Sequence, residues 1–328
     1  MSDYSVGMYT NTGVLKNNAN IVLGKSDKNA VSVKISIGMA AESGTIENHG
    51  IINVKYDSGI GMVINKGGAA INYGDIDVLG KEAYGMQGMN SAILENRGTI
   101  NVNGINSKGI VAINKTLVKN IGTINVNGNG AQGIYIESGS KVDNNGSITV
   151  NGYGKTGIYI GDGGSILNTG NIVLNGGGNA VIEGTGSIKN IGDIIIKGPS
   201  ASIDGITIDN TGTIEIPGVL DFNTIKISGN GLNEHIGTIN AETFKKGEFL
   251  ILSDVTQGSN HDMYIVQYLG TQNEPNAGEI SAISQSVSFV ADIQKDPTDG
   301  NKFNIVLVKI PYEKMLKQTA AEFWNRIR

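Results

Sequence analysis

Two glycine-rich segments have the spacing of a motif that binds phosphate groups. GNGAQG (Gly128–Gly133) and GYGKTG (Gly152–Gly157) both fit G-x-G-x-x-G. That pattern binds a dinucleotide when it lies between a strand and a helix, with an acidic residue about 20 positions later. Here it recurs within a periodic sequence, and no apolar spacing typical of a helix follows it. We therefore interpret both segments as turns and predict no cofactor-binding site.

Acidic side chains with an arginine could support a second chemistry, the calcium-assisted cleavage of a polysaccharide. It would need carboxylates in a row on one face and an arginine as base. The residues that precede a recurrent Asn-x-Gly motif include Glu95, Lys119 and Asp143, whose alternating signs predict a salt-bridged surface column. Arg97 lies in a turn with no acidic row beside it. We predict no catalytic residues.

The histidines are His49, His235 and His261, and none has a partner at the spacing of metal ligands. We therefore predict no metal site and interpret them as surface residues. A Ser–His–Asp set stays open at this point, because its members need not be adjacent in sequence.

One outward column could bind a ligand by contact. It contains Val63, Gln87, Val111, Tyr135 and Tyr159. Exposed contiguous apolar patches mark contact sites, and tyrosines offer contact area at low entropic cost. Tyr135 and Tyr159 are thus candidate binding residues for a carbohydrate or a protein surface. The alternative is β-propensity on a solvated strand, or cover by a neighbouring loop or by another copy of the molecule in a crystal.

These candidates lie on a repeating scaffold. Copies of Asn-x-Gly-x-Ile-x-(Val/Leu/Ile) are separated by five steps of 24 residues and then by steps of 22 and 20. A period of 20–50 residues indicates a solenoid or a propeller, whose units bury their apolar faces against neighbouring units. The eight copies begin at Asn48, Asn72, Asn96, Asn120, Asn144, Asn168, Asn190 and Asn210.

Each repeat reads as three short strands. In the copy that starts at Asn120, apolar residues alternate with polar ones, as in half-buried strands. A propeller blade needs four strands and about 40–45 residues. The sequence therefore predicts an all-β fold, a right-handed parallel β-helix with three sides and 24-residue coils. Eight coils would form a rod of about 40 Å at roughly 4.8 Å per coil. The five inward positions of this copy are Ile124, Val126, Ile134, Ile136 and Val142.

The Asn-x-Gly corner has a physical explanation. Glycine permits positive φ or close backbone approach, and asparagine bonds to the local backbone. Stacked asparagines can also pair their amides from coil to coil. A second ladder, Asn103, Asn127, Asn151 and Asn175, precedes the next corner.

Composition narrows the function classes. The net charge is −5, charged residues make up 17%, and cysteine is absent. Because the arginines are Arg97, Arg326 and Arg328, no basic patch is available and we predict no nucleic-acid partner. The repeat-like segment directly after Met1 suggests a fragment of a longer solenoid.

Three regions follow along the chain. Residues 1–217 are predicted to form the parallel β-helix stem, with an insertion around Lys25–Lys34. Residues 218–310 contain more aromatic residues and longer strands, and are predicted to form a β-cap that ends the open edge. In the cap, Phe249–Val255 and Met263–Gly270 are predicted as one antiparallel pair, and Ser286–Ile293 and Phe303–Ile310 as another. Residues 311–328 are predicted to form an amphipathic helical tail.

Repeats of the form GTINVNG, an aromatic-enriched β-cap, the absence of cysteine and a short C-terminal helix resemble the passenger domain of type V autotransporters. The Asn/Ile/Lys-rich repeats look most like fusobacterial autotransporter adhesins. The resemblance implies a stem, an autochaperone-like cap and a linker helix that leads towards an outer-membrane β-barrel of the full-length protein. It also implies an extracellular location on the bacterial cell surface, a role in virulence, and a host-cell or bacterial surface receptor or glycan as partner.

We therefore expect a non-catalytic adhesin stem and folding cap. The alternative is a pectate-lyase-like polysaccharide-degrading enzyme, since such enzymes share this fold class. A calcium-loaded repeat would need nonapeptides of the form GGxGxDx, and GDGGSI at Gly161 is a single approach to that pattern.

Overall fold

The computed structural model describes residues 4–24, 35–153, 156–175, 180–197, 202–220, 222, 224–229, 237–244, 247–253, 263–271, 280–286 and 289–310. Within these ranges the regular elements are strands, β1 to β34. No helix in them is long and apolar enough to cross a membrane. The predicted helical tail at 311–328 and the predicted insertion around Lys25–Lys34 lie outside the described residues.

The strands form three sheets. Sheet A contains β1 (Tyr4–Thr10), β4 (Ile35–Ala41), β7 (Ile60–Ile64), β10 (Tyr84–Gly88), β13 (Lys108–Ala112), β16 (Gln132–Ile136), β19 (Thr156–Ile160), β22 (Ala180–Gly184) and β25 (Ser202–Asp204). Sheet B contains β2 (Val14–Asn17), β5 (Thr45–Asn48), β8 (Ala69–Asn72), β11 (Ile93–Asn96), β14 (Leu117–Asn120), β17 (Lys141–Asn144), β20 (Ser165–Asn168), β23 (Ser187–Asn190), β26 (Thr207–Asn210), β28 (Thr224–Gly229), β30 (Gly247–Ser253) and β32 (Ile280–Ser284). Sheet C contains β3 (Asn20–Leu23), β6 (Ile51–Val54), β9 (Asp75–Val78), β12 (Thr99–Val102), β15 (Thr123–Val126), β18 (Ser147–Val150), β21 (Asn171–Leu174), β24 (Asp193–Ile196), β27 (Thr213–Leu220), β29 (Thr238–Phe244), β31 (Met263–Thr271), β34 (Lys302–Lys309) and β33 (Phe289–Lys295).

Each coil contributes one strand to each sheet, so the predicted three-sided parallel solenoid is confirmed. In sheet C, Ile100, Ile124 and Ile148 are register partners on β12, β15 and β18. The 24-residue sequence period is thus the spatial period of the stack. About eight such turns form the regular part.

The core runs along the axis between the three sheets. The predicted inward residues are fully buried or nearly so. Sheet A also contributes glycines: a Cβ on Gly109 would lie 2.6 Å from the Gly133 carbonyl oxygen and 2.9 Å from the Ile124 Cγ2 methyl. Isoleucine side chains from sheet C therefore occupy the space that a side chain on sheet A would need.

The Asn-x-Gly corner is built as its composition suggests. Buried asparagines, one from each coil, pair in a ladder that runs the length of the regular stack. The glycine two positions later faces the preceding coil, and a Cβ on Gly122 would collide with the Gly98 carbonyl oxygen. Close backbone approach, and not positive φ, is the reason for glycine here.

The cross-section changes when sheet A ends at β25. Sheets B and C continue, through β28, β30 and β32 on one side and β29, β31, β34 and β33 on the other. Phenylalanines fill the interior there: the Phe222 and Phe249 ring centroids are 4.8 Å apart, and those of Phe244 and Phe249 are 6.4 Å apart. Larger side chains replace the third wall of the solenoid.

One predicted strand pairing is wrong. Phe249–Val255 and Met263–Gly270 do not form an antiparallel pair: β30 pairs in parallel with β28 and β32 in sheet B, whereas β31 lies in sheet C. Parallel stacking therefore extends beyond the regular repeats. The other predicted pair is confirmed, because β33 and β34 are antiparallel.

Candidate functional site

The predicted binding residues lie in one column on the outer face of sheet A. Tyr135 on β16 and Tyr159 on β19 are register partners, and their rings stack with centroids 4.8 Å apart at 16°. Both side chains are half-buried. The structure thus brings together the two tyrosines that the sequence singled out.

A lysine that the sequence analysis missed completes this column. The Nζ atom of Lys108 lies over the rings of Tyr84 and Tyr135, at 5.3 Å from each centroid. Burial lowers the pKa of Lys108, and the nearby charge of Glu82 acts in the opposite direction. Since Lys108 and Tyr159 belong to coils on either side of Tyr135, they cover its two faces. A ligand can reach Tyr135 at the ring edge but cannot stack on it.

The hydroxyl of Tyr135 is also engaged, since it donates a hydrogen bond to Glu137. Burial, reinforced by the Glu137 carboxylate, raises the pKa of Tyr135, so the phenol keeps its proton. Cation–π contacts and aromatic stacking each contribute about 0.5–1.5 kcal/mol. The column therefore stabilises the stack, whatever else it binds.

A second column of the same kind lies at the corner between sheets B and C. The His49 and Tyr73 rings stack with centroids 4.5 Å apart at 9°, and the Arg97 guanidinium lies 5.7 Å from the Tyr73 centroid on the next coil. These residues occupy the middle position of successive Asn-x-Gly motifs. This shared position in the repeat is the feature of the sequence from which the second column could have been predicted.

Carboxylates flank this second column. Glu47 pairs with Lys16 at 2.9 Å and with His49 at 3.0 Å, and hydrogen bonds from both partners lower the pKa of Glu47. Glu95 pairs with Arg97. Arg97 lies two positions after Glu95 on the same coil. Within the described residues Glu95 therefore forms its ion pair with Arg97, and not with Lys119 as the predicted salt-bridged column required.

Each of the two G-x-G-x-x-G segments begins after one strand and ends in the next. Gly128–Gly133 begins in the turn after β15 and ends with the first two residues of β16, and Gly130 in the turn has a φ of 68°. Gly152–Gly157 ends inside β19, and its residues 154 and 155 lie outside the described ranges. The interpretation as a turn is confirmed for Gly128–Gly133, whereas the centre of the second segment lies outside the described residues.

A cleft of about 480 Å³ opens on the outer face of sheet C, where the regular coils meet the longer strands that follow β25. The side chain of Asn240 lies over Gly270, whose missing Cβ leaves room for it. Lys302 in the same wall pairs with Asp299 at 3.3 Å. The other polar lining residues are Glu215, Glu242, Thr271 and Asn301.

In the described part of the chain, no three His, Cys, Asp or Glu side chains are grouped closely enough to hold a metal ion. Of the histidines, His49 belongs to the second column, and His235 and His261 lie outside the described residues.

Comparison with known proteins gives one similarity. Residues 2–97 match the family model described as the BigA third pectate lyase-like domain. The match covers 96 of the 328 residues, from the first coil to β11. No curated protein and no solved structure matches the chain. The match and the three-sheet solenoid together fit a passenger of the bacterial autotransporter type.

Proposed function

We propose that this chain is the rigid stem and folding cap of a bacterial surface passenger that acts by adhesion. The buried asparagine ladder is the observation that carries the proposal. Nine asparagines, from Asn17 to Asn210, join successive coils through amide bonds of 2.7–2.9 Å. This ladder gives one continuous connection along the axis.

The ladder opposes local opening. Asn72 donates to the Asn96 side chain at 2.9 Å and to the Gly74 carbonyl at 2.9 Å, and accepts from Asn48 at 2.8 Å. Separating two coils would leave buried amides unpaired, at a cost of about 1–3 kcal/mol for each group. Eight spacings of about 4.8 Å give a stiff rod of about 40 Å. Such a rod suits the spacing of a distal binding region from a cell.

The proposed partners follow from this role. A stem at the bacterial surface would hold a receptor- or glycan-binding region outwards and would continue into an outer-membrane β-barrel of the full-length protein. The description of the matched family supports a bacterial surface location. The proposed relationship to fusobacterial autotransporter adhesins rests on the Asn/Ile/Lys-rich composition of the repeats. Tyr135 and Tyr159 are the proposed contact residues for a ligand that approaches sheet A.

Enzymatic cleavage of a polyuronate is the competing function, because the matched family is described as pectate lyase-like. We propose that the chain is not an enzyme. Arg97 is the arginine of the regular coils, and it is held by Glu95 and Tyr73. Incubation with polygalacturonate, with and without calcium, tests this point. Release of unsaturated oligosaccharides would establish the enzyme instead.

The stem role is tested by changing its length. Deleting residues 96–143 removes two repeats and joins Glu95 to Asn144 in the register of the motif. We expect a folded protein that is shorter by about 10 Å in small-angle scattering. A deletion variant that unfolds, or that keeps its length, would contradict the stem. Attachment to host cells is then compared between wild type and Tyr135→Ala/Tyr159→Ala, and equal attachment would place the contact elsewhere.

A further inference from the structure

The outer face of sheet C carries an uncharged polar array that is separate from the tyrosine column. Three successive strands, β12, β15 and β18, present hydroxyl and amide side chains in register, and an asparagine follows the end of each strand. We call this array the amide face. All its members are exposed or half-buried. They are Thr99, Asn101, Asn103, Thr123, Asn125, Asn127, Ser147, Thr149 and Asn151.

Hydrogen bonds between coils fix the orientation of the amides. Asn125 Nδ2 donates to Asn101 Oδ1 at 3.0 Å, and Asn101 Nδ2 donates to Asp77 Oδ1 at 2.9 Å. In the neighbouring column, Asn151 donates to Asn127 and Asn127 to Asn103, each at 3.0 Å. The amide groups are thus ordered before any ligand arrives, which reduces the entropic cost of binding.

Each amide in the middle of a ladder keeps bonding capacity. A carboxamide has two N–H donors and two oxygen lone pairs. Asn127 uses one N–H towards Asn103 and one lone pair for Asn151. One donor and one acceptor of Asn127 therefore remain available for a ligand. The buried ladder differs, because Asn72 also donates to the Gly74 and Thr99 carbonyls.

We propose that the amide face binds an extended neutral polysaccharide. Adjacent donors and acceptors match the hydroxyl pairs of a sugar, and rungs about 4.8 Å apart are close to the length of one sugar unit in an extended chain. The nine residues carry no formal charge, and Asp75 and Asp77 border the face. A polyuronate would meet these carboxylates, and a nucleic acid would need a basic surface.

A protein partner fits this face less well. Protein interfaces depend on Trp, Tyr and Arg anchors in their centres, and the amide face contains none. This binding role goes beyond the stem function. The two can fail separately, because a stem needs the buried ladder and the proposed site needs the outer ones.

The test is native electrophoresis in gels that contain galactomannan, mixed-linkage β-glucan or polygalacturonate. We expect the wild type to be retarded by at least one neutral polysaccharide, to the same extent at low and high salt. Asn127→Ala/Asn151→Ala should raise the Kd at least about tenfold, as expected for the loss of two neutral hydrogen bonds. Thr123→Lys, which adds a long side chain at the start of the middle strand of the face without removing an amide, should also weaken binding.

The matched control uses another exposed ladder. Asn114 donates to Asn90 at 3.1 Å, and Asn90 donates to Asn65 at 2.6 Å, at the corner between sheets A and B. Asn90→Ala/Asn114→Ala removes ladder bonds without touching sheet C and should bind like the wild type. Circular dichroism confirms that each variant is folded.

Several outcomes would overturn the proposal. They are the absence of retardation in both neutral gels, equal Kd values for wild type and Thr123→Lys, and retardation by polygalacturonate alone. A wild-type dimer that Thr123→Lys converts to a monomer would also overturn it, because the face would then join two copies of the chain.

Discussion

Truncation of Ile124 to alanine tests the register of the whole stack. Ile124 is fully buried and lies between its register partners Ile100 and Ile148. Its Cγ2 methyl lies 2.9 Å from the point where a Cβ on Gly109 would be. The side chain therefore fills a space that sheet A leaves open for it.

The expected loss of stability in Ile124→Ala follows from this packing. Ile124→Ala removes three carbon atoms, and at about 0.8 kcal/mol for each the lost transfer free energy is about 2.4 kcal/mol. Three sheets of paired strands surround the site and limit its collapse, so a cavity contribution of about 24 cal/mol per Å³ adds to this loss. We expect the free energy of unfolding to fall by about 3–5 kcal/mol, within the range for buried isoleucine.

Urea denaturation followed by circular dichroism measures this change. Thr123→Ala is the matched control, because Thr123 is the adjacent residue and its side chain points outwards. This substitution should lower the free energy of unfolding by at most about 0.5 kcal/mol. An unchanged midpoint for Ile124→Ala would refute the reasoning. So would a larger loss for Thr123→Ala, since the inward and outward faces would then be exchanged.

Three further predictions concern the corners, the cap and a turn. Gly122→Ala should destabilise the protein by more than about 2 kcal/mol in the same assay, because its Cβ would collide with the Gly98 carbonyl oxygen. Gly300→Ala, whose Cβ would meet nothing within 4 Å, should be nearly neutral, and equal losses would contradict the close approach. Deletion of residues 218–310 should leave 1–217 prone to aggregation or slow to fold, because the last coil would expose unpaired backbone; a monomeric product that refolds at the wild-type rate in gel filtration and stopped-flow experiments would oppose this. Asp296 accepts hydrogen bonds from Thr298 above all, and they lower its pKa from 3.8 to about 2. Its stabilising contribution is therefore complete above pH 3.8 and is lost as the pH falls towards 2. Asp296→Asn should lower the melting temperature at neutral pH, and a gap of the same size at pH 2 would argue against this assignment.

The amino-acid pattern was sufficient for the regular coils. Asn96, Asn120 and Asn144 recur at a constant interval, and each strand alternates polar and apolar residues within four or five positions. A coil interacts with its immediate neighbours, so the period along the chain and the period in space coincide. For the same reason, the inward residues and the buried ladder could be identified without coordinates.

The side-chain contacts of the candidate site could be predicted from the sequence only in part. Tyr135 and Tyr159 could be placed in one column, because equivalent positions of adjacent coils stack. The position of Lys108 over two rings depends on where a long side chain bends between coils, and the repeat does not encode that conformation. The sequence therefore did not indicate that Lys108 and Tyr159 cover the two faces of the Tyr135 ring.

The strand partners in the region predicted as a cap could be assigned only from the tertiary structure. β30 and β31 have the length and apolar character of an antiparallel pair, but those properties are the same for a strand that pairs in parallel. The edges of sheets B and C determined which strands pair. The last regular coil leaves these edges unpaired, and β28 and β29 extend them. Local pattern determines that a strand forms, whereas its partner is determined by backbone groups that lie far away in sequence and close in space.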